Sequence, residues 1–411
     1  MKIHNIDYQS TRLKEAEVEF FLPEKKPKNE EENKIGKSMS VFYNPRMIIN
    51  RDLTIYVVNT YSSQRSTKLN YCDSMAATGI RAIRLLKQCP AIEKVFINDL
   101  NPIAIETVQK NLQINGITQQ QIQISSLDAK LLFSTYYDQN HTYYDIIDID
   151  PFGSPSEYIP SAMQAISVHE VGGLMCVTAT DTPVLFGIKK EACIRKYLTT
   201  PIRTEFIKEM GTRILIYFIA KIANLFELYV HPVMSISAQH FVRVFLHIRK
   251  GILGVNSNIQ KFGNYLYCRS CHYRSVEKVE QKSTILQCTC PLCGNIMIAS
   301  GLVWMGNLHD PEYVQDLDIQ LQNTGKNMYP SYNQLLKFVE LVKNEDNFPP
   351  YYYSIPKIAD YLGITYPSLL KILERLEEKG FHAARTHFDP QAVKTEASIT
   401  VVKEVLKEFQ T

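Results

Sequence analysis

The sequence predicts an α/β protein built on an open, mostly parallel, Rossmann-like sheet, and three observations carry that expectation. Strand-forming and helix-forming stretches alternate from about 68 to 182, and every strand in that span is followed by an acidic residue. The fourth strand stops at Asp150-Pro151-Phe152-Gly153-Ser154-Pro155, where two prolines with a glycine between them forbid regular continuation.

Leu69-Asn70-Tyr71-Cys72-Asp73 is a short strand ending in an acid, and the small-residue turn Ser74 to Gly79 leads from it into a helix from Ile80 to Gln88. Val95 to Asp99 is the second strand, and Asn101-Pro102, a cap followed by proline in the first turn, starts a helix from Ile103 to Ile114. Gln121 to Ser125 is the third, with Asp128-Ala129 just past it. Tyr144, Ile146, Ile147 and Ile149 make the fourth, and Gly173 to Thr178 the fifth, leading to Thr180-Asp181-Thr182.

Right-handed crossovers between parallel strands gather these acids along one sheet edge, where open α/β sheets bind ligands. Taken singly, each acid is as readily a helix cap; the row of them argues for a ligand. The turn from Asp73 through Gly79 admits a ligand close to the backbone. Asp99 is placed to accept from ribose hydroxyls, and Asp128 with Ala129 to read an adenine edge. Neither Gly-x-Gly-x-x-Gly nor a Gly-Lys-Ser/Thr loop occurs, so no pyrophosphate is implied. An adenosine-bearing ligand without one points to S-adenosylmethionine. The exocyclic amine of a base is a poor nucleophile, and its protons need acceptors as a methyl arrives. Asp150 and the Pro151 carbonyl suit that task, and Phe152 offers a face for an extruded base. Asp148, two residues earlier on the same side of the strand, is the rival carboxylate.

At 411 residues the chain is expected to hold two or three domains. A net charge of +3 permits a nucleic-acid partner without demanding one. The longest apolar stretch, Ile214 to Phe226, is short and interrupted by Lys221, and the N-terminus has no apolar signal region, so a soluble, cytoplasmic protein with no membrane association is expected. Nine cysteines without a secretion signal favour thiols and metal ligation over disulfides.

The charged run from 24 to 37 reads as a solvated loop. In Val41 to Asp52, Arg51 is placed to pair with a ligand carboxylate or phosphate, or with a neighbouring acid. Lys189-Lys190, Arg195-Lys196, Arg203, Lys208 and Arg213 form a basic run, either a phosphate-contacting surface or a solvated helix face. Cys268-x2-Cys271 and Cys290-x2-Cys293 have the spacing of a four-thiolate zinc ribbon at about 265–300, with Cys288 or His272 as substitute ligands; such a closed Zn2+ site is structural. Beyond Pro349-Pro350, a helix, a tight turn at Gly363, a longer helix and the stretch 381–388 suggest a winged-helix-like module at about 350–395.

Phe42-Tyr43-Asn44-Pro45 with Asn50-Arg51-Asp52, Ala77-Thr78-Gly79-Ile80-Arg81, Asn98-Asp99-x-Asn101-Pro102, Asp150 to Pro155, Thr178 to Asp181, Trp304-Met305-Gly306-Asn307 and Arg385-Thr386-His387-Phe388 resemble, in that order, the tRNA guanine-N2 dimethyltransferases that modify guanosine 26. The resemblance implies S-adenosyl-L-methionine as methyl donor, held by Arg51 and Arg81, with Asp99 on its ribose and Asp128 and Ala129 at its adenine. It implies Asp150 as the catalytic carboxylate, tRNA as the partner, and N2-methyl- and N2,N2-dimethylguanosine as products; no obligate protein partner is evident in the sequence. Residues 1–250 would then be the methyltransferase part and 251–411 a tRNA-binding part, with Arg385, His387 and Lys394 as candidate tRNA contacts. An amino-group methyltransferase for another RNA or DNA, and a non-enzymatic nucleic-acid-binding regulator, are the alternatives.

Overall fold

The computed structural model describes residues 2–3, 6–7, 9–24, 40–140, 143–168, 172–238, 240–279, 288–324 and 329–410. All but the first residue of the charged run 24–37 lies outside them. By compactness the chain divides into one unit made of Met1–Pro151, Tyr158–Val177 and Asp316–Lys337, and a second made of Phe152–Glu157, Thr178–Gln315 and Phe338–Thr411. The units interleave along the sequence.

The first unit opens with an antiparallel hairpin, β1 (Gln9–Glu15) and β2 (Val18–Glu24). Helix α1 (Ile48–Ser63) is enclosed nearly all round: Leu53, Ile55, Tyr56, Val57, Val58 and Tyr61 are buried at successive positions, so it lacks the one-sided stripe of a surface helix. Strands and helices then alternate: β3 (Leu69–Asp73), α2 (Ile80–Gln88), β4 (Ile92–Asn98), α3 (Pro102–Ile114), β5 (Ile122–Ser125), α4 (Ala129–Asn140), β6 (Ile146–Ile149), α5 (Ile159–Ala165) and β7 (Gly173–Ala179). The expected cap of α3 is present: the Asn101 side chain accepts from the Ile103 N–H at 3.0 Å.

These five strands are parallel and lie in the order β7-β6-β3-β4-β5. The chain winds outward from β3 to β5 and then restarts on the other side of β3, so the order reverses between β3 and β6. That is where open α/β sheets bind their ligands. All residues of β6 and β7 are buried, as strands covered on both faces must be, and their apolar runs follow from it. Register pairs Asp73 with Asp148, which sets two carboxylates side by side at the reversal. Residues 316–337 return to this unit: Gln320 accepts from the Thr60 hydroxyl at 2.6 Å, and the Ser331 N–H donates to Asp52 at 2.9 Å.

The second unit begins with α6 (Lys190–Tyr197) and the buried α7 (Ile207–Asn224), followed by a long antiparallel hairpin of β8 (Leu228–Ala238) and β9 (Phe241–Lys250), irregular between Pro232 and Met234. A small sheet centres on β10 (Phe262–Tyr267), paired with β11 (Arg274–Lys278), β12 (Ile298–Ala299) and β13 (Val303–Trp304). The C-terminal part is β14 (Tyr353–Ser354), α8 (Ile355–Leu362), α9 (Leu369–Glu378), β15 (Ala383–Arg385), β16 (Ala392–Thr395) and α10 (Ile399–Glu408), with strand order β14-β16-β15. Ile355, Ile358, Ile372, Leu376, Val393 and Val402 form its core. Among the described residues no helix is long and apolar enough to cross a membrane.

Candidate active site

Arg81, on the first turn of α2, reaches the ends of β6. Its Nη1 donates to Asp148 Oδ1 at 2.6 Å, and its Nη2 donates to Asp150 Oδ2 and to Asn50 Oδ1, the latter at 2.9 Å. Asp148 is sealed: its carboxylate is fully buried and also accepts from the Tyr71 hydroxyl at 3.0 Å. Burial first, and then the Asp148 charge, push the Tyr71 phenol well above its usual value. Burial alone would lower the Arg81 guanidinium, but Asp148 and Asp150 reverse this and hold it firmly charged. Asp150 has a single arginine contact and keeps 19% of its side chain exposed. Of the two carboxylates, Asp150 is the accessible one.

The turns after β3, β4 and β5 are tied together by a residue that sequence reasoning passed over in favour of its neighbour Asp99. Asn98 donates to the carbonyls of Ser74 (3.0 Å) and Leu127 (2.9 Å), and its Oδ1 accepts from the Ser125 hydroxyl (2.7 Å) and the Leu127 N–H (3.0 Å). The signal that could have found it is an amide at a buried strand end, where both donor and acceptor are needed. Asp99 accepts from the Ala77 and Asn101 N–H groups, each at 2.8 Å, which shapes the turn that carries Gly79. Gly79 has φ +74°, and a Cβ there would lie 3.0 Å from Val108, so the tight turn needs glycine. Asp128 accepts from the Lys130 N–H at 2.8 Å and so caps α4, while Ala129 is buried behind it.

Asp73 supplies the test of fit for a cationic, adenosine-bearing ligand. Its Oδ2 is buried and has no hydrogen-bond partner in the structure. Desolvation outweighs Arg81 and, with Asp148, Asp150 and Asp99 nearby, pushes the Asp73 carboxyl up to about 7. An orphaned acidic oxygen at the sheet reversal suits a ligand that brings positive charge, as the ammonium and sulfonium of S-adenosylmethionine do.

Beyond Asp150, Pro151 is buried and Phe152 is 75% exposed. The rest of the turn is fastened. The Gly153 N–H donates to Thr180 Oγ1 at 2.6 Å, and Gly153 O accepts from the Thr180 N–H at 2.9 Å. Ser154 donates to the buried Tyr197 hydroxyl at 3.0 Å, which in turn donates to Asp181 at 2.7 Å.

Arg51 stands in a different network. It grips Glu15 through Nε at 2.8 Å and Nη2 at 2.6 Å, and Arg84 joins the same carboxylate at 2.8 Å and Asp52 at 2.6 Å. Burial would raise the Glu15 carboxyl, but the two arginines prevail and hold it below its usual value. The expected partner acid for Arg51 exists, yet it lies on β1 and not beside it in sequence.

In the second unit the sulfurs of Cys268, Cys271, Cys290 and Cys293 lie within 4.8 Å of one another, with Cys268–Cys293 at 3.5 Å and Cys271–Cys290 at 3.4 Å. Cys288 is outside this group, and His272 instead faces the Tyr267 hydroxyl at 2.9 Å. Two of the three C-terminal residues expected to touch tRNA are turned inward: Lys394 is buried on Glu209 at 2.8 Å and His387 on Glu345 at 2.9 Å, while Arg385 is exposed.

A reversed parallel sheet with a glycine turn and a row of strand-end acids defines a Rossmann-like α/β protein built for a nucleoside-bearing cofactor. The model of the N2,N2-dimethylguanosine tRNA methyltransferase family matches residues 23–407, and the chain belongs to that family. It is 33% identical over 375 residues to the tRNA (guanine(26)-N(2))-dimethyltransferase of Methanobrevibacter smithii, covering 91% of this chain and 93% of that one. It is 30% identical over 380 residues to the tRNA (guanine(26)-N(2)/guanine(27)-N(2))-dimethyltransferase of Aquifex aeolicus, covering 91% and 92%. Among solved structures, Trm1 from Pyrococcus horikoshii in complex with S-adenosyl-L-methionine is similar with a TM-score of 0.81 and 29% identity, over 96% of this chain and 99% of that one.

Proposed function

We propose that the protein transfers methyl groups from S-adenosyl-L-methionine to the exocyclic N2 of guanosine 26 in tRNA, giving N2-methyl- and then N2,N2-dimethylguanosine. Whole-length similarity to dimethyltransferases of that guanine supports the substrate, and the accessible Asp150 beside a sealed Asp148 is the observation that carries the chemistry. The cofactor supplies an electrophilic methyl on its sulfonium. Asp150 accepts the N2 proton that is lost as the new N–C bond forms and the S–CH3 bond breaks, with S-adenosylhomocysteine leaving as the neutral thioether; the Pro151 carbonyl accepts from the second N2 hydrogen, and Phe152 stacks on the extruded guanine. Arg81 holds Asp150 in place; Asp73, Gly79, Asp99, Asp128 and Ala129 form the cofactor cradle. Arg51 acts from one step further out, bracing α1 through Glu15.

The four clustered thiolates hold one structural Zn2+, an ion whose Zn–S bonds of about 2.3 Å give sulfur–sulfur edges of about 3.8 Å, close to the separations seen. The helix-turn-helix with its three-stranded sheet after Pro350 is a winged-helix-like module, and the part of 251–411 outside the returning segment 316–337 contributes to tRNA binding.

The test is mass spectrometry of nucleosides from an unmodified tRNA transcript incubated with the protein and S-adenosylmethionine. Both methylated guanosines are expected, and neither in a transcript whose guanosine 26 is replaced. Unmodified product in the first case, or methylation unaffected in the second, would refute the assignment.

A further inference from the structure

A concentration of net positive charge lies outside the site described above. Residues 188–204 contain Lys189, Lys190, Arg195, Lys196 and Arg203 against a single acid, Glu191, a larger net charge than the +3 of the whole chain. Helix α6 segregates its residues sharply. Cys193 and Tyr197, one turn apart, are buried, while Lys189, Lys190, Arg195 and Lys196 are all exposed. Lys196 approaches Asp181 at 3.6 Å; Lys189, Lys190, Arg195 and Arg203 pair with no carboxylate among the described residues.

Helix stability does not account for this pattern. Arg195 and Lys196 in the last turn suit the helix dipole, but Lys189 and Lys190 sit at the N-terminal end, where a cation is unfavourable. The placement suits an anionic partner. The buried side of the same helix adds the second half of the argument: Tyr197 holds Ser154 and Asp181, so α6 is fastened to the turn that begins two residues after Asp150.

We propose that the outward face of α6, with Arg203, is a docking surface for the sugar-phosphate backbone of tRNA flanking the methylated guanosine. This rests on the function proposed above. A polyanion seated on α6 bears on a helix whose other side fixes the Phe152–Glu157 turn, which aligns backbone capture with presentation of the base. Exposed Ile194 and Leu198 lie among the cations and give ribose edges an apolar footing.

The test is tRNA binding by the full chain carrying Lys189→Gln, Lys190→Gln and Arg195→Gln together. These side chains are exposed, so the thermal midpoint and S-adenosylmethionine affinity should match those of the wild type. Affinity for unmodified tRNA should fall at least about tenfold, and the slope of log affinity against log salt should become shallower by about 2, at about 0.7–0.9 for each phosphate no longer neutralised. Unchanged affinity, or weakened affinity with an unchanged slope, overturns the docking surface while leaving the methylation reading intact. A wild-type protein that neither binds nor methylates tRNA would overturn both.

Discussion

Arg81 and Asp148 form a buried ion pair at 2.6 Å, and it is this pair that separates the two carboxylates at the end of β6. Asp148 is held by a fixed charge and the Tyr71 hydroxyl, which leaves Asp150 the more accessible of the two. Asp150→Ala is expected to lower methyl transfer by at least about 100-fold, the scale of a missing general base, while S-adenosylmethionine affinity changes less than about threefold. Asp148→Ala should behave differently, destabilising the fold by about 3 kcal/mol because it strips a buried guanidinium of a partner. Single-turnover assays and urea unfolding of both variants check this; a stable, inactive Asp148→Ala with an active Asp150→Ala would reverse the roles.

Asp73 predicts a pH dependence whose sign differs between folding and binding. Its carboxyl is raised by burial to about 7, so the folded state holds the proton more tightly than the unfolded chain. Its contribution to stability is therefore greatest below about pH 4 and declines as pH rises toward 7. Cofactor affinity should move the other way, because a cationic ligand at Oδ2 favours the carboxylate, and it should strengthen from about pH 6 to 8. Titration calorimetry across that range should show the trend in the wild type and a flattened profile in Asp73→Asn. A profile identical in both removes Asp73 from the cofactor site.

Asn98→Ala removes four hydrogen bonds that link the turns after β3, β4 and β5. The Ser74 and Leu127 carbonyls, the Leu127 N–H and the Ser125 hydroxyl are left without this partner, at about 1–3 kcal/mol for each group that stays unsatisfied before relaxation. A net loss of about 3 kcal/mol is expected, together with weaker cofactor binding. Asn98→Asp, which keeps the acceptor and removes the donor, should fall between the wild type and the alanine variant. Thermal unfolding with and without S-adenosylmethionine measures both effects.

Metal analysis of purified protein should give about one zinc per chain. Cys271→Ser should abolish it, and Cys288→Ser should not, since Cys288 lies outside the four-sulfur group. The four-cysteine segment also supports α10, through Lys403 donating to the Cys271 carbonyl at 2.7 Å, so chelator treatment should expose that helix to proteolysis. Zinc retained in Cys271→Ser would shift the ligand set.

The five parallel strands were legible because each burial pattern and each trailing acid is local in sequence. Asp148 and Asp150 were not separable there, since alternation puts both on one side of the strand and only the reach of Arg81 and Tyr71 distinguishes them. Long-range pairing hid the rest. Arg51 finds its acid 36 residues upstream, and Lys394 meets Glu209 at a separation of 185, so a cation that reads as a surface group turns out to close a core. Asn98 was overlooked for a related reason: an amide acting as a hub between three turns has no spacing of its own.

The return of residues 316–337 to the first unit bears on how such a chain can evolve. The Ser331 N–H donates to Asp52, which in turn holds Arg84, so the first unit is finished by a segment translated long after it. A gene shortened to its first 250 codons would leave those buried charges without their last partner. Shedding the C-terminal region would therefore also strip the first unit of residues 316–337, a consequence of a chain that passes between the units more than once.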